Sequence, residues 1–368
     1  MTAMVNNASG TAYSGHSTSI VATTTPGEDL TFVGERAPGV ELHLLPRTFP
    51  GVYGYSRPLS AWLRASLSNF DLVVIHEVFS YPAIEAARMA AALGVPYVVR
   101  PHGSLDPYDL RKHGKTKRLL SPLFRKMLSR SNGIWLTAEM EADRVDTFGA
   151  KPSKAVTPLA VPRVDPVGSR SRFRATYGFA DDDLVFLFLG RLDAKKGIER
   201  IMNAFAHATF HRRAFLVLAG SGEAEFERVI DERLRSLPRN EAVIRTGFLI
   251  GAERSDAFAG SDVFLLHSDN ENFGLAPVEA LHHSLPSILS DEVYISADLH
   301  REGVAFVVAV DDVEALGDLM GTLSDSAGAA ALAEAGARSA AAAALYDPER
   351  VARLDDDVLA SLLKGSAT

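Results

Sequence analysis

The sequence predicts an α/β protein built from two Rossmann-like, doubly wound domains. Three observations carry that expectation. Short apolar runs alternate with helical stretches along the whole chain. The alternation is interrupted once, in the proline-bearing "LAVPRVDPVGSR" (159–170). The same strand-then-helix style then resumes on the far side. Parallel strands buried on both faces read as continuous apolar runs, and two such sets suggest two domains facing across a cleft.

In chain order, the strand candidates of the first half are 18–24, 40–46, 71–76, 95–101, 133–138 and 154–158. Those of the second half are 184–190, 214–220, 242–247, 262–267, 286–290 and 304–310. "AIEAARMAAALG" (83–94) is a helix that should stop at Gly94, and the Ala-rich stretch 327–345 is a strong helix former with no assigned chemistry. The expected domains are 1–164, 165–346, and a terminal helix 347–368 packing back toward the first domain.

The chain has 368 residues, 47% hydrophobic and 23% charged, a balance that suits a soluble globular protein with sizeable cores. The absence of cysteine excludes disulfides, thiolate metal sites and a Cys nucleophile. No run approaches the roughly 20 apolar residues of a membrane span, and the start has no leader pattern, so a cytoplasmic location is expected. Net charge is −8, unevenly placed: residues 1–164 hold 18 Lys+Arg against 13 Asp+Glu (+5), leaving 20 against 33 (−13) for the rest. Much of the first-half excess lies in 111–130, with eight basic residues and no acidic one. That stretch reads either as a solvated basic helix or as a contact for anionic lipid or substrate. Nucleic acid is not expected of an acidic chain without a recognisable module.

The stretch "DNENFGLAPVEAL" (269–281) holds two acids, Glu271 and Glu279, on either side of a Gly and a Pro. Proline suits a first helical turn, so a helix should start near Leu275–Pro277, with Glu279 in its first turn and Glu271 on the loop before it. The amides of Phe273, Gly274 and Leu275 would then face outward at the positive helix end, which suits an anion. Eight helical positions correspond to about 12 Å of rise, whereas glycosidase acid pairs sit roughly 5–9.5 Å apart. A long ligand with hydroxyls at both ends and phosphates between fits better than a hydrolytic dyad. A dipole-serving helix acid plus a surface Glu is the plainer alternative.

"FLGRLDAKKG" (188–197) sets Arg191 and Lys196 just beyond a strand, with Gly190 and Gly197 beside them. Two cations at a strand's carboxyl end suit a diphosphate, or form a solvated basic loop. "LAGSGE" (218–223) offers Gly220 and Gly222 as a weak phosphate-loop signal or a tight turn. Gly247 and Phe248, in "RTGFL", could present backbone and a ring face to a base. His102 ends a strand in "VVRPHGSLDP" (98–107), where it could reach a sugar hydroxyl or be a satisfied loop histidine. His76 is read as structural or acceptor-side, and His282 and His283 as surface or packing residues. No spacing demands a metal.

Taken together, "GRLDAKKG", "LAGSGE", "TGFL" and "ENFGLAPVE", in that order, resemble the retaining glycosyltransferases of family four, the group one glycosyltransferases with the GT-B fold. "HEVFSYPAIEAARMAAALGVPYVVRPHGSLDP" resembles the first-domain core of relatives that build bacterial polysaccharides. The resemblance implies transfer from a nucleotide-diphosphate sugar with retention of configuration, to a saccharide or lipid-linked saccharide acceptor. It implies that Arg191 and Lys196 hold the diphosphate, Glu279 the ribose, and Glu271 the donor sugar, with His102 near it. Gly190, Gly220, Gly222, Gly247, Phe248, Phe273, Gly274 and Leu275 complete the donor-binding set. No cofactor or metal is required, because the cations carry the charge stabilisation. Peripheral contact with the inner face of the membrane through 111–130 is a further expectation. The family opens with a strand and a Gly-rich loop that residues 1–13 are too few to hold together with a full helix. The alternative function is therefore a truncated, catalytically weak or inactive relative that binds nucleotide or a partner protein.

Overall fold

A computed structural model describes residues 2–25, 27, 37, 39–49, 53–112, 114–163 and 168–364. The boundary expected at 164/165, and His113 in the basic stretch, lie outside these residues. Each of the twelve apolar runs contains a strand. The chain divides into two units, Met1–Pro162 with Asp347–Thr368, and Arg163–Tyr346.

The first unit runs α1 (Thr2–Tyr13), β1 (Ser19–Thr24), β2 (Glu41–Pro46), α2 (Arg57–Ser66), β3 (Val73–His76), α3 (Tyr81–Leu93), β4 (Tyr97–Arg100), α4 (Pro107–Arg111), α5 (Gly114–Arg130), β5 (Gly133–Leu136), α6 (Glu139–Arg144) and β6 (Lys154–Val156). Helix α3 shows why these segments begin and end where they do. Ser80 accepts the Ala83 N–H, Pro82 stands in the first turn, and Gly94 closes the helix in the left-handed conformation that a Cβ disfavours. Strands β3 to β6 form one parallel sheet in order β3-β4-β5-β6, and β1 pairs only with β2 among the described residues. Of residues 1–13, expected to be too few for a strand, loop and full helix, 2–13 form a 12-residue helix.

The second unit runs α7 (Arg170–Tyr177), β7 (Leu184–Leu189), α8 (Ile198–His207), β8 (Ala214–Ala219), α9 (Ala224–Ser236), β9 (Val243–Gly247), α10 (Gly251–Gly260), β10 (Val263–Leu266), α11 (Leu275–His282), β11 (Ser287–Ser290), α12 (Ser296–Arg301), β12 (Ala305–Val308), α13 (Val313–Thr322) and α14 (Ser326–Ala343). Its six strands are all parallel, in order β12-β11-β10-β7-β8-β9. Val185, Phe186, Leu187 and Phe188 of the inner strand β7 are wholly buried, because helices cover both faces. Each such side chain contributes about 1.5–3 kcal/mol by leaving water.

The last helix, α15 (Pro348–Lys364), returns to the first unit, where Leu359 and Leu362 pack on Val98 and Trp135. Gly133 is needed there: a Cβ would stand 2.5 Å from Leu362 and 2.8 Å from the Ser153 carbonyl. A polar chain runs beneath this contact. The Trp135 ring N–H donates to Thr157 (2.7 Å), whose hydroxyl donates to Asp355 (2.7 Å), and the Asn7 amide donates to the other Asp355 oxygen (3.0 Å). Most of the basic stretch forms α5, which buries Phe124, Met127 and Leu128 but leaves Leu119 79% and Leu123 39% exposed. Among the described residues, no helix is long and apolar enough to cross a membrane.

Candidate active site

Strand order in the second unit selects the site. From β7 the chain builds outward through β8 to β9, then crosses to the other side of β7 and continues through β10 to β12. The loops leaving β7 and β10 therefore part at the carboxyl edge of the sheet, where open parallel sheets place their ligands. Those two loops carry Arg191, Lys196 and Glu271.

The loops are stitched to each other. The Asp269 N–H donates to the Lys195 carbonyl (2.8 Å), Lys196 donates to a Glu271 carboxylate oxygen, and Arg200 donates to the His267 carbonyl (3.1 Å) and to Asp269. Gly197 holds a left-handed turn there, and a Cβ on it would stand 2.1 Å from the His267 carbonyl oxygen. Glu271 is fixed at its backbone too: its N–H donates to Glu292 (3.0 Å), and its carbonyl accepts from Tyr294 (3.0 Å). The two cations differ in freedom. Lys196 is 15% exposed and pinned by Glu271, whereas Arg191 is 65% exposed and, among the described residues, its ion-pair partner is its loop neighbour Asp193 (2.8 Å).

Helix α11 starts at Leu275, as the proline suggested, so Glu279 stands one turn further along than expected. Gly274 precedes it in the left-handed region. Phe273 is buried edge-on against Tyr346 (5.7 Å, 77°), so its ring serves packing and only its backbone faces the loop. The Glu279 carboxylate is paired with Arg254 of α10.

The glycines of the next loops have a backbone reason. A Cβ on Gly220 would lie 1.8 Å from the Gly190 carbonyl oxygen, and one on Gly222 would lie 2.1 Å from that of Leu192. Gly190 donates to Ala219 (3.0 Å), and Gly220 donates to Gly247 (2.8 Å), which joins the ends of β7, β8 and β9. The Gly222 N–H is already taken by Glu227 (2.7 Å), and that bond, with Arg245, holds the Glu227 carboxyl below its ordinary range. Phe248, just past β9, is 71% exposed.

His102 belongs to the other unit. Its ring stacks on His76 (5.1 Å, 13°), and its Nε2 is 2.8 Å from His76 Nδ1. Burial, with Arg100 adding to it, pushes His102 down to about 3, and burial together with His102 and Arg100 depresses His76 well below its usual value. Both rings are therefore neutral at physiological pH, one donating and one accepting. His102 itself is left-handed (φ 51°), and the Gly103 N–H after it is held by buried Glu141 (2.7 Å). His76, read as structural or acceptor-side, is thus the direct partner of His102, while His283 packs face to face on Phe258 as a packing residue should.

Arg254, Arg200, Glu141 and Glu227 escaped the sequence reading. Arg254 acts on Glu279 across 25 positions, Arg200 on Asp269 across 69 and Glu141 on Gly103 across 38, so the separation hides these partners, whereas Glu227 lies only five positions from Gly222 on the helix that follows.

Two Rossmann-like units, one with cations and carboxylates gathered at the switch point of its sheet, define a protein of the GT-B fold. Residues 169–338 match the family described as glycosyl transferases group 1, and residues 2–160 match the glycosyl transferase 4-like domain. The chain belongs to the group 1 glycosyltransferases. Among curated proteins, it is 31% identical over 170 residues to a D-inositol 3-phosphate glycosyltransferase of Kineococcus radiotolerans, covering 42% of this chain and 38% of that one. It is 24% identical over 257 residues to the alpha-monoglucosyldiacylglycerol synthase of Streptococcus pneumoniae, covering 66% and 56%. These matches span less than two thirds of each relative's length. Among solved structures, Anabaena HepE, determined with UDP and glucose, superposes with a TM-score of 0.75 at 17% identity, over 98% of this chain and 95% of that one.

Proposed function

We propose that the protein transfers a sugar from a nucleotide-diphosphate sugar to a saccharide or lipid-linked saccharide, with retention of configuration. The observation that carries this reading is the convergence of Lys196, Glu271 and Arg191 on two loops at the switch point of the second sheet, with Glu279 on the helix that follows. Arg191 and Lys196 neutralise the diphosphate and the charge that grows on it as the sugar departs, so no metal is required. Glu279 takes the ribose hydroxyls and Glu271 the donor sugar, with the Phe273, Gly274 and Leu275 amides on sugar or phosphate. His102, neutral and oriented by His76, hydrogen-bonds the sugar. The acceptor attacks from the face the phosphate leaves, and the departing phosphate oxygen accepts its proton. HepE's UDP and glucose support a donor of this class.

The acceptor side draws on α5. Leu119 and Leu123 stand exposed among Lys115, Arg118, Arg125 and Lys126, a pattern suited to an anionic membrane surface carrying a lipid-linked acceptor. A second reading, nucleotide binding with weak transfer, is favoured by one observation: β1–β2 and β3–β6 are separate sheets among the described residues.

Calorimetry on Glu279→Ala and Glu271→Ala tests the donor assignment. Glu279→Ala should weaken the nucleoside diphosphate alone, whereas Glu271→Ala should spare it and weaken only the sugar-bearing donor. The reverse order would refute the two-ended reading. Turnover of a radiolabelled donor separates a transferase from a binder.

A further inference from the structure

We infer that Arg254 positions Glu279 and thereby sets the preference for ribose over 2′-deoxyribose in the nucleotide, an inference that rests on the proposed ribose-binding role of Glu279. Four observations lead there. Arg254 donates a charge-assisted hydrogen bond to one Glu279 oxygen, joining α10 to α11. Its guanidinium carbon lies 5.3 Å over the Phe258 ring. Phe258 is buried and stacks in turn on His283 (5.3 Å, 11°), the residue that caps the helix carrying Glu279. The fork is thus seated on a ring that is itself anchored to Glu279's own helix.

The fourth observation is where Arg254 stands. It is the fourth residue of α10, near the positive end of the helix dipole, which disfavours a cation. Stabilising its own helix does not explain it. The pair is also neither sealed nor fully solvated: the side chains are 27% and 18% exposed, which leaves the carboxylate open to a ligand while limiting screening.

The chemistry follows from acceptor capacity. A carboxylate offers about four lone-pair sites, so one bond from Arg254 leaves enough for both hydroxyls of a vicinal diol. Reading a diol requires the carboxylate plane to be fixed, since a freely rotating Glu adapts equally well to one hydroxyl or two. A ring-seated guanidinium supplies that fixation, and a lysine, with its point charge, supplies less of it.

The test is calorimetric affinity for UDP and 2′-deoxy-UDP, and for GDP and 2′-deoxy-GDP, using the pair whose ribose form the wild type binds more tightly. The wild type should favour the ribose form by about tenfold, the effect of one lost hydrogen bond. Glu279→Ala and Arg254→Ala should each bring that ratio to about two, Arg254→Lys should fall between, and the double variant should match Glu279→Ala. The ratio does not depend on the folded fraction, because misfolded protein lowers the stoichiometry for both ligands alike. If Arg254→Ala binds neither ligand, Arg254→Gln replaces it in the comparison. A ratio flattened by Glu279→Ala but kept at the wild-type value in the Arg254 variants overturns the positioning role and leaves Glu279's role standing. A ratio unchanged in Glu279→Ala overturns the ribose reading, as does a wild type that binds none of the four.

Discussion

Replacing Asp355 with Asn should make the first unit more stable at neutral pH, even though it removes a buried residue with two hydrogen-bond partners. Asp355 is 2% exposed. Burial raises its carboxyl from its ordinary 3.8 to about 6, against the opposing pull of Arg100 and the bonds from Thr157 and Asn7. A folded-state value above the unfolded one means that the native state binds the proton more tightly. The contribution of this group is then fully present below pH 3.8 and is lost as the pH rises through 6. At neutral pH the ionised carboxylate costs about 3 kcal/mol relative to its neutral form. Asn keeps an acceptor for the Thr157 hydroxyl, and rotation of the Asn7 amide lets its oxygen meet the new NH2. Both tryptophans, Trp62 and Trp135, lie in the first unit, so urea unfolding followed by tryptophan fluorescence reads that unit. With a urea slope of about 1–3 kcal/mol/M, the variant's midpoint should exceed the wild type's by on the order of 1 M at pH 7.5. The gap should close toward pH 4, and groups common to both proteins cancel in the difference. A variant less stable than the wild type at pH 7.5, or a gap that does not change between pH 4 and 7.5, would refute the reasoning.

Arg191→Ala and Lys196→Ala should each lower the transfer rate by about 2–4 kcal/mol in the barrier, the cost of deleting one charged donor to a developing anion; near-normal kcat in both variants would remove them from the reaction. Gly220→Ala should destabilise the second unit, because the methyl would overlap the Gly190 carbonyl at 1.8 Å; hydrogen exchange across β7 and β8 should accelerate, and unchanged protection would show that the contact yields at little cost. Binding to anionic vesicles should fall as salt rises, since exposed charges are screened within about 10 Å at 0.1 M, and Leu119→Asp should weaken it further; no sedimentation with vesicles at low salt would exclude the α5 contact.

The sequence by itself determined which segments become strands. Each of the twelve apolar runs is long enough for a strand, and local turn residues such as Gly94 and Pro277 end or start the helices beside them. It also marked the loops proposed to hold the donor, because cations and carboxylates directly after a buried strand have only the sheet's edge to occupy. What it left undecided was pairing. Nothing local says that β7 lies between β10 and β8, and that order alone brings Lys196 to Glu271, 75 positions away. The same holds for Arg254 with Glu279 and for His76 with His102, whose sites exist only once separate elements dock. Gly220 and Gly222, read as a weak phosphate loop or a tight turn, have a packing reason that only the tertiary structure supplies: carbonyl oxygens of the neighbouring segment would lie about 2 Å from any Cβ. Side-chain burial follows local periodicity and is written in the order of the residues. Ion pairs and close backbone contacts depend on distances between distant segments, and only the packed sheet sets those.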